Sequence, residues 1–220
     1  MELFWGSGSP YAWRVQLALE IKGIAYQSRL IEFSKDEQRS PEMLALNPRG
    51  QVPVLRDGEV VVSQSIAILA YLERRHPEPA LFGRTPGETG AIWQAVMEAA
   101  LHLDGPADLF LVAMYYGEAE ARQAEVRAAL PPIAAELGRL EGTLHDRPHL
   151  AGLALTAADV VVYPMVRSLL RAADKPDAAR FEHGLDGFSG RYPQLAAWMA
   201  RVEALPGYER TYPPHWRKNP

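Results

Sequence analysis

The sequence contains no cysteine, and this absence excludes several kinds of chemistry. Disulfide scaffolds, thiolate metal sites, cysteine nucleophiles and C-x-x-C redox motifs all require a thiol. The six histidines are scattered without an H-E-x-x-H motif, so the sequence predicts no metal site. It also contains no G-x-S-x-G elbow and no G-x-x-x-x-G-K-[ST] loop, which disfavours a serine hydrolase and a P-loop nucleotide-binding protein.

Long apolar runs and basic blocks are also missing. No stretch approaches the ~18 apolar residues of a membrane span, and the N-terminus shows no basic region followed by an apolar one. We therefore expect a cytoplasmic protein with no membrane partner. The chain carries 23 basic and 27 acidic residues, a formal net charge of −4, without the basic stripe that binds phosphate backbones, so we expect no nucleic-acid partner.

The composition that is present is that of a globular protein. Its 220 residues are 48% hydrophobic and 23% charged, enough for one large domain or two small ones. Local patterns in the first third predict the order β-α-β, short helix, β-β-α, which makes a mixed sheet. The predicted pieces are a strand at 2–5, a helix from 10 to about 22, a strand at 24–31, a short helix at 41–46, a hairpin of 52–55 and 59–62 around Asp57-Gly58, and a helix at 65–76.

The remainder of the chain predicts helices only. Residues 77–87 contain three prolines and two glycines, as a linker does. Helices are predicted at 89–116, 119–145, 157–173 and 192–204, with Pro131-Pro132 expected to kink or break the second of them. The sequence therefore predicts an α/β domain at 1–76, a linker at 77–87 and an all-α domain at 88–220.

Ser9 lies where the first strand gives way to the first helix. It is a favourable N-cap residue, and Pro10 suits the first helical position. The free N–H groups and the dipole of a helix N-terminus favour an anion, and a thiolate is such an anion. Because the chain has no thiol, a ligand would have to supply it. The alternative is that Ser9 only caps its helix.

Two later motifs offer similar alternatives. A cis bond between Val52 and Pro53 would turn the Val52 amide outward to pair with an extended peptide, whereas an edge-strand proline needs no ligand. The helix start at 63–65 could hold a carboxylate through free N–H groups, the Ser65 hydroxyl and the Gln64 side chain, or could be a simple cap. The capping box of Thr156 and Asp159 is interpreted as structural.

Together these segments resemble the cytosolic glutathione transferase family over essentially the whole chain. The resemblance is carried by Ser9-Pro10 with Trp13-Arg14-Val15, by Asn47-Pro48-Arg49-Gly50-Gln51-Val52-Pro53-Val54-Leu55, by Ser63-Gln64-Ser65-Ile66-Ala67-Ile68 and by Leu155-Thr156-Ala157-Ala158-Asp159. It implies a thioredoxin-like βαβαββα domain followed by a helical domain. The spacing is closest to the zeta and related bacterial branches, whose members include a maleylacetoacetate isomerase.

The resemblance also implies roles for individual residues. Ser9 would donate a hydrogen bond to the sulfur of glutathione, with Ser7 as the rival hydroxyl. Gln51, Val52 and Pro53 would bind the middle of glutathione, Val52 through its main chain beside a cis Pro53. Gln64 and Ser65 would hold the γ-glutamyl end. Possible lining for a second substrate in the helical domain is Trp93, Met97, Leu101, Phe110, Met114 and Tyr115. Arg14, Arg39 and Arg49 could each reach a glutathione carboxylate or form an exposed salt bridge, and we expect the exposed salt bridge.

The expected function is a glutathione transferase that conjugates the glutathione thiolate to a small hydrophobic electrophile in detoxification. One alternative is a glutathione-dependent cis–trans isomerase of the maleylacetoacetate or maleylpyruvate type. The other is a non-catalytic binding protein with the same fold. Because members of the family usually dimerise, the resemblance also implies a homodimer.

Overall fold

A four-stranded mixed sheet organises the N-terminal part of the computed structural model, which describes residues 1–217. Its strands are β1 (Glu2–Trp5), β2 (Gln27–Leu30), β3 (Val54–Asp57) and β4 (Val60–Ser63), in the order β2-β1-β3-β4. Strand β2 is parallel to β1, and the other two pairings are antiparallel. The predicted order βαβαββα is therefore confirmed.

Three helices accompany this sheet: α1 (Pro10–Ile21), α2 (Pro41–Leu46) and α3 (Ser65–Arg75). Helix α3 packs against α1. Most side chains of α1 are buried, and Trp13 is only 1% exposed. Phe4, Ile31, Met43 and Val54 form an apolar cluster, on which the side chain of Val52 packs. This cluster holds the residues just before β3 against the sheet.

The hairpin between β3 and β4 turns one residue later than predicted. Asp57 pairs with Val60, so the two turn residues are Gly58 and Glu59 instead of Asp57 and Gly58. Gly58 adopts φ +59°, a left-handed conformation that glycine takes without steric cost.

The rest of the chain is largely helical. It contains α4 (Pro86–Glu98), a π-helical turn (Ala99–Leu103), α5 (Asp104–Tyr115), α6 (Gln123–Thr143), α7 (Ala157–Ala173), α8 (Phe188–Arg191), α9 (Pro193–Glu203) and α10 (Tyr208–Thr211). The sequence predicts a kink or a break at Pro131-Pro132; α6 does not break there, since it continues through both prolines, and the kink stays a prediction. Both lie on the exposed face of α6, as do Arg127 and Ala128 four residues earlier, so water can solvate the carbonyls that lose their donors.

The chain divides into two compact units. The first comprises Met1–Phe82 together with the C-terminal residues from Ala204, and the second comprises Gly83–Glu203. The C-terminal segment thus packs with the sheet unit, and α10 lies against α1. The division predicted from sequence, at 1–76, 77–87 and 88–220, stays a prediction.

Candidate functional site

Ser9 caps helix α1, as its sequence context predicts. Its backbone is extended (φ −73°, ψ 115°), and its Oγ accepts a hydrogen bond from the backbone N–H of Ala12 at 3.2 Å. Pro10 is the first helical residue, and the first turn contains no acidic side chain. The α1 N-terminus therefore presents a hydroxyl and a positive dipole end with no carboxylate of that turn opposing an anion.

A tight turn connects β1 to Ser9. The backbone N–H of Ser9 donates to the carbonyl of Gly6 at 3.1 Å, which leaves Ser7 and Gly8 as the two central residues. Gly8 has φ +84°, the value that a type II turn requires at its third position. The ring of Phe33 covers Gly6 so closely that a Cβ there would clash with it. The path of this turn therefore depends on two glycines.

Ser7, the rival hydroxyl, contacts the C-terminal segment. Its Oγ lies 2.6 Å from Nδ1 of His215, within hydrogen-bond distance. Sequence analysis did not identify His215 as a site residue, and no local pattern could have done so, since 208 residues separate the pair.

The loop before β3 is held by Asn47, which is 4% exposed. Its Nδ2 donates to the carbonyl of Gln51 at 2.8 Å, and its Oδ1 accepts from the backbone N–H of Arg49 at 3.2 Å. The bond between Val52 and Pro53 is cis. Gln51, Val52 and the cis Pro53 thus lead directly into Val54, the first paired residue of β3, and Asn47 holds the start of this segment. Sequence analysis assigned no role to Asn47.

Gln64 and Ser65 lie where β4 leads into α3. Gln64 has φ +74° and ψ 117°, one of two non-glycine residues with positive φ among those the structure describes. Its carbonyl accepts the first hydrogen bond of α3, from Ile68, while its side chain is exposed. Ser65 is 5% exposed. Such backbone conformations cost energy and concentrate at ligand-binding positions.

The sheet register brings the three segments together. Phe4 pairs with Val54, and Val54 pairs with Ser63, so these residues form one row across β1, β3 and β4. The turn to Ser9 follows the end of β1, the Val52 segment precedes β3, and Gln64 follows β4, all at the same edge. With ~4.8 Å between neighbouring strands, this edge spans about 10 Å, enough for a tripeptide-sized ligand.

Two of the three arginines expected to form exposed salt bridges differ in their surroundings. Arg14 is 1% exposed and lies 4.8 Å from the ring centroid of Tyr11, so the expectation of an exposed salt bridge is wrong for it. Its position on the buried face of α1 explains the difference. Arg39 does form an exposed ion pair, 3.8 Å from Asp36.

The apolar residues suggested as substrate lining divide into two sets in the helical unit. Phe110 and Met114 are buried in its core, at 0% and 5% exposure, and cannot contact a ligand at its surface. Met97 and Leu101 are exposed, whereas Tyr115, at 36% exposure, and Trp93 are only partly so. Partial burial raises the pKa of the Tyr115 phenol to about 12.

Two further expectations concern metals and membranes. Among the described residues, no group of three or more histidine, aspartate or glutamate side chains could hold a metal ion. Within the same part of the chain, no helix is both long and apolar enough to cross a bilayer.

Comparison with known proteins identifies the family. Residues 8–75 match the glutathione S-transferase N-terminal domain, and residues 92–206 match the glutathione S-transferase C-terminal domain. The chain belongs to the glutathione S-transferase family, which uses glutathione as cosubstrate. The predicted family and fold class are thus confirmed.

Individual relatives cover nearly the whole chain. Glutathione S-transferase A of Pleuronectes platessa is 33% identical over 100% of this chain and 94% of its own length. A Vibrio cholerae protein named probable maleylacetoacetate isomerase is 32% identical over 96% and 93%. The crystal structure of a glutathione S-transferase from the Antarctic clam Laternula elliptica superposes with a TM-score of 0.80 at 30% identity, covering 99% of this chain and 94% of the other.

Proposed function

We propose that this protein transfers the thiolate of glutathione to a small hydrophobic electrophile, with Ser9 as the hydroxyl that stabilises the thiolate. The observation that carries the proposal is the cap geometry of Ser9. Because its Oγ accepts from Ala12 N–H at 3.2 Å, the hydroxyl hydrogen is left to donate outward, toward a sulfur at the α1 N-terminus.

The remaining glutathione contacts follow from the sheet edge. Val52 would pair its main chain with the cysteinyl residue, flanked by Gln51 and Pro53, since it lies two residues before Val54, which pairs with Phe4 of β1. Gln64 and Ser65 would bind the γ-glutamyl end at the start of α3, where backbone N–H groups favour a carboxylate.

The chemistry is activation followed by attack. The bound thiol releases its proton to solvent, and Ser9 together with the α1 dipole lowers the cost of the negative sulfur. A sulfur lone pair then forms a C–S bond, and the leaving group departs with the bonding electron pair. Lowering the thiol pKa by two units raises the thiolate fraction near neutral pH up to ~100-fold.

Calorimetric titration of glutathione near pH 7 in two buffers of different ionisation enthalpy tests this proposal. Since the difference between buffers reports the protons released, one experiment measures affinity and thiol ionisation together. Binding at micromolar to low-millimolar concentration with proton release is the expected result. Binding without release would contradict thiol activation, and no binding would favour a non-catalytic protein of this fold.

Isomerisation is a second candidate, favoured by the 32% identity to the Vibrio cholerae protein named probable maleylacetoacetate isomerase. It would use the same thiolate to add to, and leave, a cis double bond. The zeta branch has Ser-Ser-Cys at the first turn, where this chain has Ser9-Pro10-Tyr11. Assays with a cis-dienoic diacid and with a haloaromatic electrophile, run on the same preparation, separate the two reactions.

We also propose that the protein works in detoxification as a cytoplasmic homodimer, as the family resemblance implies. Light scattering coupled to gel filtration measures its mass in solution. A mass near 24.4 kDa, that of a single chain, would contradict the homodimer.

A further inference from the structure

We propose that His215 is a positioning residue for the thiol-stabilising hydroxyl, because it holds the turn that presents Ser9. The inference rests on the proposed function of Ser9 and assigns a role to a segment outside both glutathione-binding motifs. The relevant contacts all lie within the unit that contains the sheet.

Among the described residues, one backbone hydrogen bond closes the turn from Gly6 to Ser9, from Ser9 N–H to the Gly6 carbonyl. Its two central residues, Ser7 and Gly8, are partly exposed. Any change in their dihedral angles moves Ser9, which is the next residue. The direction of the Ser9 hydroxyl therefore depends on what fixes these two residues.

His215 contacts both of them. Its Nδ1 lies 2.6 Å from Ser7 Oγ, and a Cβ placed on Gly8 would lie 2.8 Å from its Cε1. Either tautomer allows the hydrogen bond, since the serine hydroxyl donates to an unprotonated Nδ1 or accepts from a protonated one. The imidazole thus covers Gly8 while it restrains Ser7.

The backbone that carries His215 is itself anchored to α1. Trp216 packs edge-on against Trp13, with ring centroids 5.5 Å apart at 87°, and the indole N–H of Trp13 donates to Thr211 Oγ1 at 2.8 Å. Trp13 lies one helical turn after Ser9. The segment therefore binds α1 through buried side chains and returns to the turn that begins α1.

Because His215 is exposed, its effect on the position of the turn can be measured apart from any effect on the stability of the fold. Its neighbour Trp216 is 6% exposed and supplies the buried contact, whereas the imidazole is exposed and its bond to Ser7 is solvent-accessible. Exposed hydrogen bonds contribute little to the free energy of unfolding. Removing the imidazole should therefore loosen the turn and leave the fold intact.

The test compares H215A and H215N with the full-length wild type and with H145A. Asn places an amide near the position of Nδ1 and can keep the bond to Ser7. His145 is an exposed histidine just after α6, in the helical unit, so H145A controls for the loss of one surface imidazole. Four quantities are measured: kcat at saturating glutathione with a haloaromatic electrophile, the thiolate absorbance of bound glutathione against pH, the glutathione Kd, and Tm.

For H215A we expect kcat to fall about 3- to 10-fold, because misplacing a reacting group by a fraction of an ångström is costly. The midpoint of thiolate formation should shift upward, while Kd and Tm stay near wild type. H215N should recover most of the loss, and H145A should match wild type. Since Ser7 and His215 act as a pair, S7A combined with H215A should be no worse than either single variant.

Three results would overturn the inference: H215A indistinguishable from wild type, H215A losing kcat, Kd and Tm together, or H215N as impaired as H215A. Failure of the proposed function looks different. In that case the wild type itself fails to bind glutathione or to ionise its thiol, before any variant is compared.

Discussion

At the scale of single residues, the Ser9 hydroxyl accepts a hydrogen bond from Ala12 N–H and is proposed to donate another to the thiolate of glutathione. For S9A we expect the bound thiol pKa to rise by about 1 to 2 units, because a hydrogen bond to a charged group contributes ~1.5–3 kcal/mol. Turnover below the thiol pKa should fall accordingly, about 10- to 100-fold, with glutathione still bound. The pH profile of kcat and the thiolate absorbance of the complex measure this.

Loss of the cap must be separated from loss of the thiolate contact. T85A removes a comparable cap, since Thr85 Oγ1 accepts from Glu88 N–H at 3.2 Å at the start of α4, and costs about 1 kcal/mol of stability. It should leave turnover unchanged. Retained turnover in S9A together with its collapse in S7A would show that Ser7 is the thiol-stabilising hydroxyl.

Tyr115 provides a prediction about alkaline pH. Burial raises its pKa to about 12 from an ordinary value of 10.0, so between these values the folded protein keeps a proton that the unfolded chain has lost. Stability therefore falls as pH rises from about 10 to 12. Y115F should make this decline shallower in urea titrations, while Y116F, at the exposed neighbouring position, should not. Equal slopes for both variants would contradict the assignment.

At the scale of elements, most of the secondary structure could be predicted from local sequence. The start of α1 at Pro10 and the bounds of α2 could be predicted because each helix begins with a serine N-cap followed by proline, a signal contained within a few residues. Predictions from local sequence were wrong where the outcome depends on the tertiary surroundings of a residue. The sequence predicts a kink or break at the prolines of α6 and an exposed salt bridge for Arg14, yet α6 is unbroken and Arg14 is 1% exposed, because the folded surroundings determine both outcomes.

The N-terminus of α4 gives a prediction about acid. Glu88 accepts from the backbone N–H groups of Arg84 at 2.8 Å and Thr85 at 3.1 Å, and these bonds lower its pKa below 4.5. The stability from this capping box is present above pH 4.5 and is lost as pH falls through the lowered folded-state pKa.

E88Q should therefore flatten the acid limb of the stability profile, measured by Tm between pH 3 and 6. The control is E59Q, which changes an exposed glutamate in the turn between β3 and β4. An acid limb that is the same in E88Q and in wild type would contradict the role of this carboxylate.

At the scale of the whole molecule, the site depends on contacts that no local pattern contains. The sequence predicts the three motifs and a mixed sheet, but the strand order that brings the motifs to one edge comes from the structure. The sequence predicts the C-terminal segment as part of an all-α domain at 88–220, and no local pattern in it indicates a contact with α1. Its packing on Trp13 is a tertiary contact between residues about two hundred positions apart.

W216A tests how much the sheet unit needs this segment. Removing a buried indole that packs on Trp13 should cost about 3–5 kcal/mol, and W216F should retain part of it. The loss in free energy of unfolding is measured by urea titration, monitored both by glutathione binding and by far-ultraviolet circular dichroism. If the urea midpoint for glutathione binding were unchanged, the segment would be dispensable for the sheet unit.

The return of the C-terminal segment has a consequence for biosynthesis. The ribosome releases residues 1–82 first, yet Trp13 receives its partners Thr211 and Trp216 only after the whole helical unit has been translated. Until then the nascent sheet unit exposes an indole that the finished protein buries. The edge proposed to bind glutathione therefore reaches its final packing only after residues 204–217 have been translated.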